Sequence, residues 1–277
     1  MKAALCFLIS YDHLLNKENI WREWIEHNKD IINVYFHYSD YSKIQSEWIK
    51  EHAIPQECIY KTSYYHVVPA YLSLMSYARN NDPENNWICF LTDSCCPIIS
   101  PRRFRYFFFQ YYNYSIMRWR RAWWNPSFHK RANLGLLTKN LHLANDPWFI
   151  LTREDAGHCI NYVFENYQLV KTVCNGGLAN ESIFAIILYM KKRINMVINR
   201  VTHCADWNRM ASKTSPHLFK NANDRDKQFI ESAFNEREYE CMMFMRKISP
   251  EFPDELLRNY IYNHNKLKDE LLVIPEF

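Results

Sequence analysis

Glycine is nearly missing from this chain. Four glycines in 277 residues leave no room for a glycine-rich phosphate loop, and neither GxGxxG nor GxxxxGK[ST] occurs. The nine cysteines show no repeated CxxC spacing, so neither a zinc ribbon nor a disulfide framework is indicated. Free thiols in a reducing compartment are the default. Long apolar runs are lacking too. Met1–Ser10 (MKAALCFLIS) looks like a short leader, but it is too brief for a membrane span and no small-residue cleavage pattern follows it. With no signal peptide or transmembrane anchor in this chain, a cytoplasmic or peripheral-membrane location is expected. Charge of one sign is also scarce: a net charge of +4 suits any anionic ligand and selects none.

What is present is an ordinary globular balance, 48% hydrophobic against 23% charged, with no repeat or low-complexity linker, so residues 1–277 read as one domain. The strongest local signal is Trp87–Pro97 (WICFLTDSCCP), a continuous apolar run closed by a polar turn. Such a run predicts a strand buried on both faces, as in a parallel sheet. Around it, strands over Ala3–Ile9, Ile31–His37 and Glu57–Tyr60 alternate with helices over Asn19–Asn28, Ser42–His52 and Val67–Arg79. Farther on, strands are expected at Trp148–Leu151, Val197–His203 and Cys241–Met245, and helices at Arg153–Asn166, Ile183–Met190, Lys227–Phe234 and from Pro250 to Asn263 and beyond. Strand–helix alternation with short connections predicts an α/β fold, a mostly parallel central sheet flanked by helices. Ligands of such sheets bind beyond the carboxyl ends of the strands, which draws attention to Asp93 and Ser94.

Arg102–Trp124 (RRFRYFFFQYYNYSIMRWRRAWW) interleaves aromatics with arginines. That pattern serves single-strand nucleic-acid binders, or a membrane surface met through Trp119, Trp123 and Trp124. The simpler reading is an amphipathic helix over Phe104–Tyr112 followed by a strand, its aromatics in the core and its arginines outside, because the aromatics run too continuously to be all exposed.

Three further places bear on chemistry. Glu181 opens an apolar helix after the Gly176-Gly177 pair; the helix dipole favours its ionised form there, as a general base requires. The plainer alternative is a carboxylate that only complements the helix end, with Asn180 as N-cap. Asp224-Arg225-Asp226 has a D-x-D spacing that suits a divalent cation, but it follows no apolar strand and opens a helix, so first-turn acids and capping explain it better. Arg246-Lys247 follows an apolar strand and offers positive charge to a pyrophosphate, or is a basic surface turn.

Taken together, these blocks resemble the Core-2/I-branching family of glycosyltransferases. WICFLTDSCCPI (from Trp87) is similar to the family strand ending S-[DE]-S-C-x-P-[LI]. Pro147–Glu154 (PWFILTRE) is similar to its block with an aromatic pair and x-R-E. Asn180-Glu181 is similar to P-D-E before an apolar helix, with Asn where Asp is usual, and Phe244–Glu251 (FMRKISPE) to F-A-R-K-F-x-P-E. His37, after IINVYF, stands near the family's H-x-D position. The blocks come in family order and span nearly the whole chain. The resemblance implies a GT-A-type, Rossmann-like fold and an inverting transfer from a UDP-sugar to a glycan hydroxyl, with no divalent metal or other cofactor. Glu181 is then the base. Lys247, Arg246 and an upstream basic residue (Arg225 by spacing, with Lys213 and Lys220 as rivals) bind the diphosphate. His37, Asp93 and Ser94 border the donor, and Trp148, Asp206 and Trp207 lie toward the acceptor. N-acetylglucosamine is the expected sugar, with xylose or glucuronate as alternatives. No nucleic-acid partner is expected, although a degenerate fold binding nucleic acid or a membrane surface through Arg102–Trp124 remains the competing reading.

Overall fold

The computed structural model describes residues 1–9, 12–63 and 65–274; Ser10, the end of the leader-like run, lies outside them. In chain order the strands and α-helices are β1 (Lys2–Leu8), α1 (Glu18–Glu26), β2 (Ile32–His37), α2 (Glu47–Glu51), α3 (Val68–Asn81), β3 (Asn85–Thr92), β4 (Cys95–Pro97), α4 (Pro101–Tyr111), β5 (Trp119–Arg121), β6 (Leu143–Asn145), β7 (Ile150–Thr152), α5 (Arg153–Glu165), α6 (Tyr167–Cys174), α7 (Ile183–Met190), β8 (His203–Ala205), α8 (Asp224–Ala233), β9 (Phe244–Arg246), α9 (Asp254–Tyr262) and α10 (Lys266–Glu270).

The central sheet runs β2-β1-β3-β7, parallel except for β7. It is the mixed α/β, GT-A-like arrangement expected. Side chains of the central strand alternate between two cores: Trp87, Cys89 and Leu91 enter one, with α1, α4 and α9, while Ile88 and Phe90 enter the other, with α3, α5 and α7. A strand covered on both faces needs apolar residues at every position, which is why β3 reads as an unbroken run. Trp87 can be buried whole because its indole Nε1–H donates to the carbonyls of Tyr111 and Tyr114 at 3.2 and 3.1 Å. Behind the strand ends, β4, β9 and β8 form a second small sheet, and β5 pairs with β6.

Several elements differ from the sequence reading. Glu57–Tyr60 is no strand: a 3₁₀ turn over Gln56–Cys58 occupies it, and β2 bridges to Ala53 instead. Ser42–His52 is not one helix, because Asp40 caps a turn at Tyr41–Lys43 and Ser46 caps a separate short helix at α2. Val197–His203 contributes one bridge, Ile198 to Ile116, and the strand starts only at His203. The last strand begins at Phe244, after the Thr202 carbonyl has taken the amides of Met243 and Phe244. The aromatics of Arg102–Trp124 follow the simpler reading only in part, since Tyr114 and Trp123 are exposed and most of the others half-buried. Phe104 and Phe108 are core, while Arg102 and Arg103 clasp the α10 end and Arg105 pairs with Asp30 at 2.7 Å. Among the described residues no helix is long and apolar enough to cross a membrane.

His37, at the carboxyl end of β2, is 4% exposed, and burial pushes its imidazole down to about 4, opposed by the Tyr60 carbonyl at 3.3 Å. Between pH 6.5 and about 4 the unfolded chain therefore binds a proton that the folded chain refuses, so stability falls as pH drops through that window. From the size of the shift, His37 alone contributes about 3 kcal/mol to that loss. We expect His37→Gln to flatten the decline of melting temperature between pH 6.5 and 4.5; a variant with the wild-type slope would show that His37 is not its source.

Candidate active site

The parallel strands β1, β2 and β3 all end at one cleft of about 670 Å³. The cleft is lined by His37 from β2, by Asp93 and Ser94 after β3, by Trp148 before β7, and by Glu181, Trp207, Arg246 and Lys247 from later segments. Residues more than 200 positions apart in sequence thus line one cleft, at the place where open α/β sheets bind ligands.

The turn between β3 and β4 is tied to β9 by one side chain. Arg246 Nη1 donates to the hydroxyls of Thr92 and, at 2.9 Å, Ser94, and its guanidinium lies 4.5 Å from the Trp148 ring centre. Trp148 in turn stacks on Trp207 at 6.3 Å. Lys247 follows, half-buried; burial and the adjacent Arg246 cation push its ammonium down, while Asp93 pulls it back up. Two neighbouring cations under a partly dry cleft wall form a site suited to an anion.

Glu181 lines the same cleft. It sits in a 3₁₀ turn, Ala179–Glu181, that leads into α7. Asn180 does not cap that helix. Ser182 holds the N-cap position without a side-chain bond, and Asn145 of β6 supplies the cap from outside, accepting the Ala185 amide at 3.2 Å and donating to the Asn180 carbonyl at 2.9 Å. The Glu181 carboxylate, 13% exposed, is ion-paired through Oε2 to Arg131, a residue with no motif to announce it. Arg131 lies 4.9 and 4.3 Å from the ring centres of Trp123 and Trp124, and burial pushes its guanidinium down to about 10, still charged at neutral pH.

The docking of Arg131 explains a glycine. Ala132 and Asn133 turn the chain through left-handed backbone, and the turn is fastened by Ala132 N to the Gly177 carbonyl at 2.9 Å and by Asn133 Nδ2 to the Thr172 carbonyl at 2.9 Å. A Cβ on Gly176 would collide with the Asn133 amide nitrogen and come within 2.7 Å of the Ala132 carbonyl carbon and the Lys130 carbonyl oxygen. Neither glycine of the pair has positive φ; Gly176 is there for close approach, not for flexibility.

Two expected residues stay outside the cleft. Arg225 is exposed on α8. Of its rivals, Lys220 pairs with Glu251 at 3.6 Å, whereas Lys213 precedes Thr214, Ser215 and Pro216, which do line the cleft. Asp206 is buried and bound by Arg209 at 2.6 Å and by the amides of Asn208 and Arg209; it shapes the turn that presents Trp207. In the D-x-D stretch the N-cap is Asn223, and Asp226 is buried against Arg209 at 2.8 Å and His217 at 2.9 Å, an ion-pair role. Among the described residues no group of three or more His, Cys, Asp or Glu is placed to hold a metal ion.

Comparison with known proteins gives one finding and one blank. The family model described as Core-2/I-Branching enzyme matches residues 5–233, a span that runs from within β1 to the end of α8, includes Glu181 and stops short of Arg246 and Lys247. No curated protein matches the chain. A match over that extent, well over half of the chain, identifies it as a member of the Core-2/I-branching enzyme family of glycosyltransferases.

Proposed function

We propose that the protein is an inverting glycosyltransferase that moves a sugar from a UDP-sugar to a glycan hydroxyl without a divalent metal. UDP-N-acetylglucosamine is the favoured donor, and UDP-xylose and UDP-glucuronate are the alternatives. The observation that carries the reading is that one cleft is lined by both the Glu181 carboxylate and the Arg246–Lys247 cations. Inversion needs a base on one face of the anomeric carbon and charge stabilisation for the leaving group on the other.

The acceptor hydroxyl gives its proton to Glu181 as its oxygen bonds to the anomeric carbon and the bond to the UDP oxygen breaks. Arg131 holds Glu181 Oε2, so Oε1 is the oxygen left for the proton. Lys247 meets the negative charge that develops on the diphosphate, the part a divalent ion plays elsewhere. Arg246 keeps the wall in place through Thr92 and Ser94. The neutral His37 and the Asp93–Ser94 turn border the donor, and the face of Trp148 and Trp207 offers a stacking surface to the acceptor.

Glu181→Gln should lower the transfer rate by roughly 10²–10⁴-fold while UDP still binds; retained transfer would remove Glu181 as the base. Transfer should survive EDTA, and strict Mn²⁺ dependence would overturn the metal-free mechanism. Gly176→Ala should cost about 1–3 kcal/mol through overpacking, and by shifting Arg131 it should lower transfer more than UDP affinity. Wild-type stability and rate in that variant would break the link between Gly176 and the base.

A further inference from the structure

From Ser94 to Asn145 the chain carries nine lysines and arginines and not one aspartate or glutamate. The overall charge of +4 hides this, because the rest of the chain is net acidic. Arg102, Arg103 and Arg105 are tied down around α4, Arg118 pairs with Glu238 at 3.6 Å, and Arg131 pairs with Glu181. The other four, Arg120, Arg121, Lys130 and Lys139, are exposed, and among the described residues none of them has an ion-pair partner. Arg121 and Lys139 line an open groove of about 490 Å³ together with Asn125, Ser127 and Asn140, and no acidic side chain lines it.

The turns that border this groove also expose apolar side chains. Phe128 is 83% and Leu136 75% exposed, on two turns that abut. Asn125 builds the first turn: its Oδ1 accepts the Ser127 amide at 3.0 Å, and its carbonyl accepts the amides of Phe128 and His129 at 3.2 and 3.1 Å. The second lies so close that a Cβ on Gly135 would stand 2.5 Å from the Pro126 carbonyl oxygen. Phe128 therefore projects from a preformed turn, and little ordering is needed when it binds. Exposed apolar side chains among unpaired cations mark an interaction surface. A bilayer with anionic headgroups suits it, since the apolar groups enter the acyl boundary while the cations meet the headgroups. Single-stranded nucleic acid suits it less. It needs open aromatic faces for stacking; Leu136 has none, and the Trp123 ring already lies under the guanidinium groups of Arg120 and Arg131, at 4.3 and 4.9 Å from its centre.

We propose that this face, Phe128 and Leu136 with Arg120, Arg121, Lys130 and Lys139, docks the protein on an anionic lipid bilayer. Neither contribution suffices by itself. One or two apolar side chains bind a bilayer only marginally, and a few cations at its surface are screened by salt; acting together they hold. The turn that carries Phe128 runs directly into Arg131, the partner of Glu181, so docking fixes the cleft close to the lipid headgroups. The proposal goes beyond the glycosyltransferase reading and does not depend on it.

The test is co-sedimentation of the intact chain with vesicles of phosphatidylcholine alone and of phosphatidylcholine mixed with phosphatidylserine. Wild type should pellet with the mixed vesicles and stay largely in solution with the neutral ones, and its partition coefficient should fall as salt is raised. Phe128→Ser should lower that coefficient roughly tenfold or more, as expected when a phenyl ring is no longer buried. Lys130→Glu combined with Lys139→Glu should lower it roughly twentyfold or more, at about fivefold for each cation lost. All three side chains are exposed, so melting temperatures should match wild type; Leu136→Ser, which should act in the same direction, replaces Phe128→Ser if that variant melts early. Wild type that does not pellet with the mixed vesicles, or pelleting that either the apolar or the charge variant leaves unchanged, overturns the docking. Binding of poly(dT) that depends on the two lysines and ignores Phe128, with no vesicle binding, assigns the face to nucleic acid instead.

Discussion

The cleft hangs on Arg246. Its guanidinium donates to the hydroxyls of Thr92 and Ser94 and covers the Trp148 ring, joining the end of the central strand, the last strand and the segment entering β7. Charge-assisted hydrogen bonds and a cation over an indole are each stronger than their neutral counterparts, and here one side chain makes both. The contact works together with the backbone pairing of β4, β9 and β8 and with the Ile248 amide bound to the Ser94 carbonyl at 2.9 Å. Lys247 is the next residue along, Trp207 stacks on Trp148, and His203 lies 5.7 Å from Trp148 in turn. The same contact sets a second constraint, because it fixes a cation beside Lys247 and makes that ammonium harder to charge. Two cations held together repel until an anion bridges them, so the wall is organised for a negatively charged group before one arrives.

How much of this was legible in the sequence depended on where the partners lay. Strands β1 and β3 showed themselves because burial on two faces demands an unbroken apolar run. β4, β8 and β9 have three residues each, and what makes them strands is backbone pairing with one another across distant parts of the chain. No local pattern encodes that. Glu57–Tyr60 had strand-like residues and lacked a neighbour to pair with. Glu181 and Lys247 were found through short blocks whose order matched a family, and the cleft brings both to its walls. Arg225 was placed by spacing alone, and spacing counts residues along a chain that folds α8 outward.

Arg131 was missed for a related reason. It follows a run of aromatics that looks like a binding surface, and its contact with Glu181 comes from a left-handed turn seated on Gly176, neither of which has a periodic signature. Composition flagged the rarity of glycine, but rarity alone does not say whether a glycine serves a turn or a close approach.

On the proposal that Glu181 is the base, the Arg131–Glu181 pair bears on how it would act. A guanidinium beside a carboxylate favours the ionised form and so weakens its pull on a proton, which on basicity alone works against catalysis. The pair cannot simply open. Arg131 lies against two indoles and largely out of water, and parting it from its partner would leave a desolvated charge uncompensated, a cost of several kcal/mol. The advantage must therefore come from placement. A carboxylate with one oxygen clamped offers the other in a fixed direction, and proximity and orientation are large contributions to rate. The arginine then has a second use, since its charge remains next to the reacting hydroxyl as negative charge develops there. In its Trp123–Trp124 part the aromatic stretch is a socket for the cation that pairs with Glu181.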